Sequence, residues 1–222
     1  MLVEIELKEK LTATELQWLE QKFEDLTAHF NVATAITIDW KQQLFALYQH
    51  SNRHYHNLVH LYNLYQVYLP QQTNIESPLL LEIAIWWHDA IYLPTQKDNE
   101  YQSALLAQSH WQAYLSKPQM EQVMHLINST AKHQPTISHS DIFYFLDFDL
   151  SILATNETTY QKYSQYIWQE YKVAYAKILY RIGRKKALRQ FLKRPKLFFT
   201  DLFYENYEER AKGNIKLEIK TL

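Results

Sequence analysis

Apolar residues recur every three to four positions along most of the chain, which is the spacing of one face of an α-helix. Prolines and polar breaks divide this pattern into separate segments, so an all-α fold is predicted. Gly183 and Gly213 are expected to end helices, and the tail 215–219 alternates, which leaves a short strand or a packed tail open. The predicted helices cover 14–30, 39–49, 55–69, 79–87, 99–115, 118–132, 142–150, 157–180, 184–193 and 201–212.

The segment Leu79–Trp87 differs from the others because it is apolar on nearly every side. Such a helix is typical of a protein interior, yet it is followed directly by His88 and Asp89. An imidazole and a carboxylate are costly to bury without partners, and a metal ion would satisfy both. The alternative is a surface turn in which the two residues are neighbours by chance.

Two more segments place similar groups in helical contexts. His56 and His60 are four residues apart in the predicted helix 55–69, so they would share a helix face, unless both are partly exposed surface histidines. Asp147 and Asp149 lie inside an apolar run, where at least one carboxylate would need a cation or several hydrogen bonds. Combined with the His-Asp pair, these residues predict an oxygen and nitrogen site for a divalent ion such as Mn, Mg, Fe, Co or Zn.

Composition narrows the function classes. The chain has 222 residues and a net charge of -1, which fits one domain and weighs against nucleic acid as a partner. It has no cysteine, which excludes thiolate ligands and a cysteine nucleophile and suits a cytoplasmic protein. Its 2 glycines argue against glycine-rich phosphate loops. Neither a signal peptide nor an apolar run of about 18 residues is recognised, so no membrane partner is expected.

The motifs resemble a known family. The order of His60, the pair His88-Asp89 and Asp149 resembles the signature of the HD superfamily of metal-dependent phosphohydrolases. The sequence 55–60, Tyr-His-Asn-Leu-Val-His, is similar to the Tyr-His-Asn-x-x-His motif of the cyclic-nucleotide phosphodiesterases in that superfamily. Residues 149–151, Asp-Leu-Ser, are similar to their last-ligand motif. From Arg53 to Asn214 the chain resembles a bacterial group of predicted HD phosphohydrolases, whose pattern includes Asn99-Glu100, Ser103-Ala104, Thr130 and His133.

The resemblance implies a set of roles. His60, His88, Asp89 and Asp149 would bind one or two divalent ions, and His56 would be the general acid that protonates the leaving oxygen. Asp89 would in addition bridge two ions or orient the attacking water. The family fold is a helical bundle, which implies a single HD-type domain over 1–222, with a metal-binding core of about 53–151 and C-terminal helices over 157–212 packed on it. Asp147 stays the alternative to Asp149, because only the Asp-Leu-Ser resemblance favours the latter.

Further candidates carry open alternatives. Glu100 is predicted as a catalytic or supporting carboxylate, or as a charge favoured at a helix N-terminus. His133 is predicted to bind substrate, or to be a histidine favoured at a helix C-terminus. Arg53 is predicted to clamp a phosphate, or to form a structural ion pair. The segment Arg181–Lys196 has 8 basic residues and no acid, and is interpreted as a solvated helix face rather than an RNA-binding one.

Together with the predicted metal site, the resemblance implies a phosphohydrolase that cleaves a phosphate ester of a small molecule or nucleotide with metal-activated water. The alternatives are a non-catalytic HD-fold protein that binds a nucleotide or metal for regulation, and an RNA-associated protein. Neither the substrate nor the choice between mono- and diesterase follows from the sequence. The aromatic faces fit either core or interface, so a homodimer is open.

Overall fold

Helices account for all the regular structure in the computed structural model, which describes residues 5–222. Within that range there is no strand, and the predicted all-α, single-domain fold is confirmed. Two short 3₁₀ helices, Leu69–Asn74 and Ser151–Ala154, extend α-helices. The α-helices are α1 (Ala13–His29), α2 (Thr34–Tyr48), α3 (Leu58–Tyr68), α4 (Pro78–Trp87), α5 (Asn99–Trp111), α6 (Lys117–Thr130), α7 (Ser140–Leu150), α8 (Glu157–Tyr171), α9 (Lys177–Leu192) and α10 (Asp201–Thr221).

Helix α4 forms the centre of the molecule. Every side chain from Leu80 to Trp87 is buried, and α1, α3, α5 and α6 pack around it. This burial explains why the helix is apolar on all sides. Trp86 and Trp87 are fully buried and contact the rings of Phe23, Trp40 and Trp111, so the core is largely aromatic. The end of α4 is thereby held rigidly, together with the residues that follow it.

Helix α3 begins later than predicted. The Asn57 side chain accepts a hydrogen bond from the main-chain N–H of Val59 and caps the helix at Leu58. The prediction that His56 and His60 share one helix face is therefore wrong, since His56 precedes the helix. Residues 54–56 instead donate three main-chain N–H bonds to the carboxylate of Glu170 in α8.

The predicted helix 157–180 is two helices. Helix α8 ends at Tyr171, the turn 172–176 follows, and α9 continues through Gly183 without interruption. The apolar spacing runs on through Ala174 and Ile178, but both side chains are exposed, and Ile178 is 68% exposed. The apolar spacing therefore continued across a turn whose aliphatic side chains are exposed, which is why the prediction failed.

Helix α10 also runs through its predicted end, Gly213-Asn214, so residues 215–219 form no strand and instead pack on the bundle as part of the helix. The buried Asn214 amide donates to the main-chain carbonyls of Leu153 and Thr155. Ile215 is fully buried. These contacts outweigh the cost of about 1 kcal/mol for a glycine inside a helix.

Two further observations concern the whole chain. Helix α10 packs on the 3₁₀ helix Ser151–Ala154, while the predicted division into a core of 53–151 and C-terminal helices stays a prediction. Among the helices of residues 5–222, none is both long and apolar enough to cross a membrane.

Candidate metal centre

Two buried imidazoles meet where α3 and α4 converge. His60 lies in the first turn of α3 and His88 directly follows α4, and their side chains are 3% and 1% exposed. Their Nε2 atoms are 3.2 Å apart. Two nitrogens bound to one ion at about 2.1 Å lie roughly 3.0–3.4 Å apart, depending on the coordination angle. The spacing is therefore that of two ligands of one ion.

The His88 ring is oriented by the main chain. Its Nδ1 lies 3.0 Å from the carbonyl oxygen of Ile85, an acceptor only, so we assign the proton to Nδ1. That tautomer leaves the Nε2 lone pair directed at His60. A ligand imidazole commonly donates its second N–H to a carbonyl or carboxylate in this way, which fixes the ring and raises its basicity.

Two carboxylates complete the cluster. Asp89 Oδ2 lies 3.1 Å from His88 Nε2 and 3.7 Å from His60 Nε2. Asp149 Oδ1, from the last turn of α7, lies 3.5 Å from His60 Nε2. One ligand atom each of His60, His88 and Asp89 falls within 4.8 Å of the others. Two imidazoles and two carboxylates suit a borderline or hard divalent ion, so the residues fit the predicted metal.

The geometry separates Asp149 from Asp147. Asp147 is fully buried and accepts hydrogen bonds from the main-chain N–H groups of Phe199 and Thr200 and from the Thr200 hydroxyl. The Asp147 carboxylate therefore satisfies the main-chain N–H groups just before α10. Asp149 points to the other side of α7 and faces the histidines.

Charges within the cluster favour one added positive charge. Burial alone would raise the pKa of Asp149, but its hydrogen bond with His133 and the neighbouring imidazoles hold it at about 2. Burial lowers the pKa of His60 to about 4. Burial also opposes charge on His88, yet the Asp89 carboxylate raises its pKa to about 9. The carboxylates of Asp89 and Asp149 thus stabilise one positive charge beside the Nε2 atoms of His60 and His88. A bound metal ion would supply that charge.

A second group of potential ligands serves another purpose. Glu76, His139 and Asp141 also lie close together. Asp141, however, accepts main-chain N–H bonds from Glu76 and Ser77 ahead of α4, and His139 Nδ1 accepts the N–H of Asp141 and caps α7. These hydrogen bonds account for the cluster without a metal.

His56 is held beside the cluster by a buried acid. Its Nδ1 lies 2.7 Å from Oε2 of Glu170, whose side chain is fully buried, and its ring centroid is 6.0 Å from that of His60. Tyr92 donates to the same Glu170 oxygen and stacks on the His56 ring. Burial alone would lower the pKa of His56, but the charges of Glu170 and Asp89 raise it above its usual value.

Sequence reasoning missed Glu170 and Tyr92. Glu170 follows Ile167 by three residues and Tyr163 by seven, so it lies on the apolar face of α8. A carboxylate on such a face is the signal that could have identified it. No comparable signal marks Tyr92, which lies in the loop after Asp89.

Part of the cluster borders a cavity of about 210 Å³. His56, Asp89 and Asp149 line it, as do the predicted Glu100 and His133. Its opposite wall comes from α8, α9 and the 3₁₀ helix Ser151–Ala154. The other lining residues are Tyr55, Tyr92, Thr130, Leu150, Ile152, Leu153, Tyr163, Ile167, Tyr171, Arg184, Leu188 and Phe191.

The predicted phosphate clamp Arg53 lies elsewhere. Its guanidinium donates to the main-chain carbonyls of His56, Asp89 and Ala90, and the residue is not part of the cavity wall. These bonds tie the segment before α3 to the loop after α4. These contacts give Arg53 a structural role other than the predicted ion pair, while its binding of substrate stays a prediction.

Arg184 is the cationic side chain that does line the cavity. It forms a two-pronged ion pair with Glu218 of α10, with N–O distances of 2.9 and 3.1 Å. Arg194 donates to the carbonyls of Lys132 and His133 and so fixes the residue that bonds Asp149. Two cations of the basic segment are thus structural.

Comparison of the chain with models of known protein families, with curated proteins and with solved structures found no match. The helical architecture and a His/Asp group close enough to bind a metal fit an HD-like fold.

Proposed function

We propose that this chain is a divalent-metal-dependent phosphohydrolase of the HD superfamily that acts on a phosphate ester of a small molecule or nucleotide. The observation that carries the proposal is a juxtaposition at one cavity. The cluster of His60, His88, Asp89 and Asp149 lies next to a histidine whose proton is retained by a buried carboxylate. A site that only binds a metal would not need a proton-donating histidine beside the ligands.

His60, His88, Asp89 and Asp149 would hold the ion. When bound, it supplies a water of lowered pKa and stabilises charge on the phosphoryl group. The two nitrogen donors favour Mn, Fe, Co or Zn over Mg, which prefers oxygen ligands.

His56 acts as the general acid. Its Nδ1 is engaged by Glu170, so Nε2 is the nitrogen left for the leaving oxygen. As the phosphorus–oxygen bond breaks, the proton moves from Nε2 to that oxygen. The charges of Glu170 and Asp89 raise the pKa of His56 against the effect of burial, which favours the protonated form that a general acid needs.

Glu100 and His133 assist from the cavity wall. Burial raises the pKa of Glu100, and the Asp89 charge acts in the same direction, which suits a group that accepts a proton from water. His133 Nε2 lies 3.0 Å from Asp149 Oδ2 and orients that carboxylate. His133 is therefore proposed first as a positioning residue and second as a contact for substrate.

The test measures bound metal and turnover on the same samples. We expect the purified chain to retain one or two divalent ions per molecule and to hydrolyse members of a panel of phosphate esters and nucleotides. Asp89→Ala should lose both properties, and the exposed His29→Ala serves as the matched control. Retention of metal by Asp89→Ala at wild-type stoichiometry would refute the ligand assignment.

A second variant separates catalysis from regulation. His56→Ala should keep the metal and lose turnover, because it removes the proton donor and no ligand. If the wild-type chain binds metal and nucleotide but hydrolyses nothing in the panel, the regulatory alternative replaces the hydrolase.

A further inference from the structure

The solvent face of α9 begins with an exposed apolar patch, which we define as Val173, Tyr175, Ile178, Leu179 and Ile182. Ile178, Leu179 and Ile182 are 68%, 59% and 62% exposed. Ile182 follows Leu179 by three residues and Ile178 by four, so the three side chains lie on one side of the helix. Val173 and Tyr175 continue the patch into the preceding turn, at 58% and 36% exposure. Single exposed aliphatic residues are common, but a contiguous group of this kind marks an interaction site.

The same face continues as a row of cations. Counting by helical spacing from Ile178 and Ile182, the next positions on this side are Lys186, Arg189 and Lys193, all of them exposed. Residues 172–196 contain 10 of the 23 lysines and arginines of the chain and no acidic residue. The near-zero net charge of the chain therefore conceals a basic segment, of which Lys186, Arg189 and Lys193 face solvent beside the patch.

We propose that this face of α9 docks the protein on an anionic membrane surface. The apolar patch would enter the boundary between headgroups and acyl chains, while Lys186, Arg189 and Lys193 contact lipid phosphates and carboxylates. Helices that lie in a membrane interface combine these two features, an exposed apolar surface and basic flanks. The proposal is independent of the hydrolase function, and it replaces the expectation of no membrane partner.

The charge of this face distinguishes an anionic membrane from two other partners, a second copy of the chain and a nucleic acid. A second copy of the chain would cover the apolar patch, but this face would offer the cations no negative partner, since residues 172–196 contain no acid. A nucleic acid would attract the cations, yet it gives no reason for three large aliphatic side chains to be exposed. An anionic bilayer complements both halves of the surface.

The orientation of α9 adds a consequence. Its opposite side supplies Leu188 and Phe191 to the wall of the cavity that Asp89 and Asp149 line. A docked molecule would therefore hold that cavity one helix diameter away from the lipid headgroups.

The test is co-sedimentation of the full chain with vesicles. We expect binding to vesicles of phosphatidylcholine and phosphatidylserine in a roughly 2:1 ratio, little binding to phosphatidylcholine alone, and release by added salt. Lys186→Gln with Arg189→Gln should weaken binding roughly 20- to 30-fold, since each cation contributes about fivefold. Ile178→Asn with Ile182→Asn should weaken it more than about tenfold.

Matched controls and a fold measurement keep the result interpretable. Ile38→Asn removes an aliphatic residue that is 46% exposed on α2, and Lys117→Gln removes an exposed cation of α6; both should bind as wild type. Circular dichroism checks that each variant is folded.

Several results would overturn the proposal. These are equal binding to neutral and anionic vesicles, no binding to either, or unchanged binding by both double variants. Binding of an RNA probe that Lys186→Gln with Arg189→Gln abolishes and the isoleucine variant retains, without vesicle binding, would assign the surface to nucleic acid. A dimer in sedimentation equilibrium that only the isoleucine variant disrupts, again without vesicle binding, would assign it to a second copy.

Discussion

Replacing Asp147 or Asp149 with asparagine should show which of these two aspartates of α7 binds the metal. Asp147 accepts three hydrogen bonds at the start of α10. An asparagine keeps one acceptor oxygen and turns an NH₂ group toward at least one buried N–H. That mismatch costs about 1–3 kcal/mol. Loss of the charge adds nothing to this cost, because burial raises the pKa of Asp147 to about 7 and so disfavours its charged form. We therefore expect Asp147→Asn to lower the free energy of unfolding by about 2 kcal/mol and Tm by roughly 4–8 °C, with bound metal unchanged.

Asp149→Asn should instead remove metal binding. Its carboxylate is 11% exposed, and His133 and the neighbouring imidazoles lower its pKa to about 2, so the metal-free protein should lose about 2 kcal/mol at neutral pH. Loss of a group that only orients a metal ligand typically lowers metal affinity roughly 10- to 100-fold. Asp149→Asn should lower it further, because Asp149 is itself a proposed ligand.

Calorimetry of metal-free and metal-loaded samples measures both effects. An ion at about 100 times its Kd should stabilise wild type and Asp147→Asn by about 2.7 kcal/mol, and Asp149→Asn far less. Metal content by mass spectrometry provides the independent check. Equal stabilisation of the two variants by metal, or metal loss in Asp147→Asn alone, would contradict the assignment of Asp149.

Three further predictions concern other parts of the structure. Glu170→Gln removes the charge that raises the pKa of His56, so the alkaline limb of the kcat/KM profile should move to lower pH; an unmoved limb would exclude the pair from proton transfer. Glu218→Ala leaves the Arg184 guanidinium buried without its partner and should cost about 3–5 kcal/mol in urea unfolding, whereas a loss under 1 kcal/mol would mean that water reaches the pair. Gly213→Ala should raise stability by about 0.5–1 kcal/mol, because an added Cβ meets nothing within 4 Å; a decrease would show that the helix needs glycine there.

The ligand residues were predictable from local context. His88 and Asp89 stand out because they end a helix that is apolar on every side, and the aspartates of α7 stand out for the same reason. The choice between Asp147 and Asp149 was not predictable from spacing. Both aspartates lie in a run that is buried on several faces. Which of them faces the histidines depends on the elements that pack against each side of α7, and these are not evident from the sequence of α7.

Other features depend on contacts between distant segments. The carboxylate that binds His56 is that of Glu170 in α8, and no residue near position 56 in the sequence indicates this contact. The end of α10 likewise depends on an amide that reaches the 3₁₀ helix, so Gly213-Asn214 reads as a stop signal when taken alone. In α9 the apolar spacing was real, but it belongs to a surface rather than to the core.

The partner of His56 lies 114 residues away in the chain, while the four proposed ligands belong to α3, α7 and the end of α4. In the proposed mechanism, metal retention and proton donation therefore depend on different segments. Mild heat or denaturant that detaches α8 first would leave a molecule still loaded with its ion but unable to turn over. Inactivation should then precede metal release, and cooling should restore activity without any need to supply the ion again.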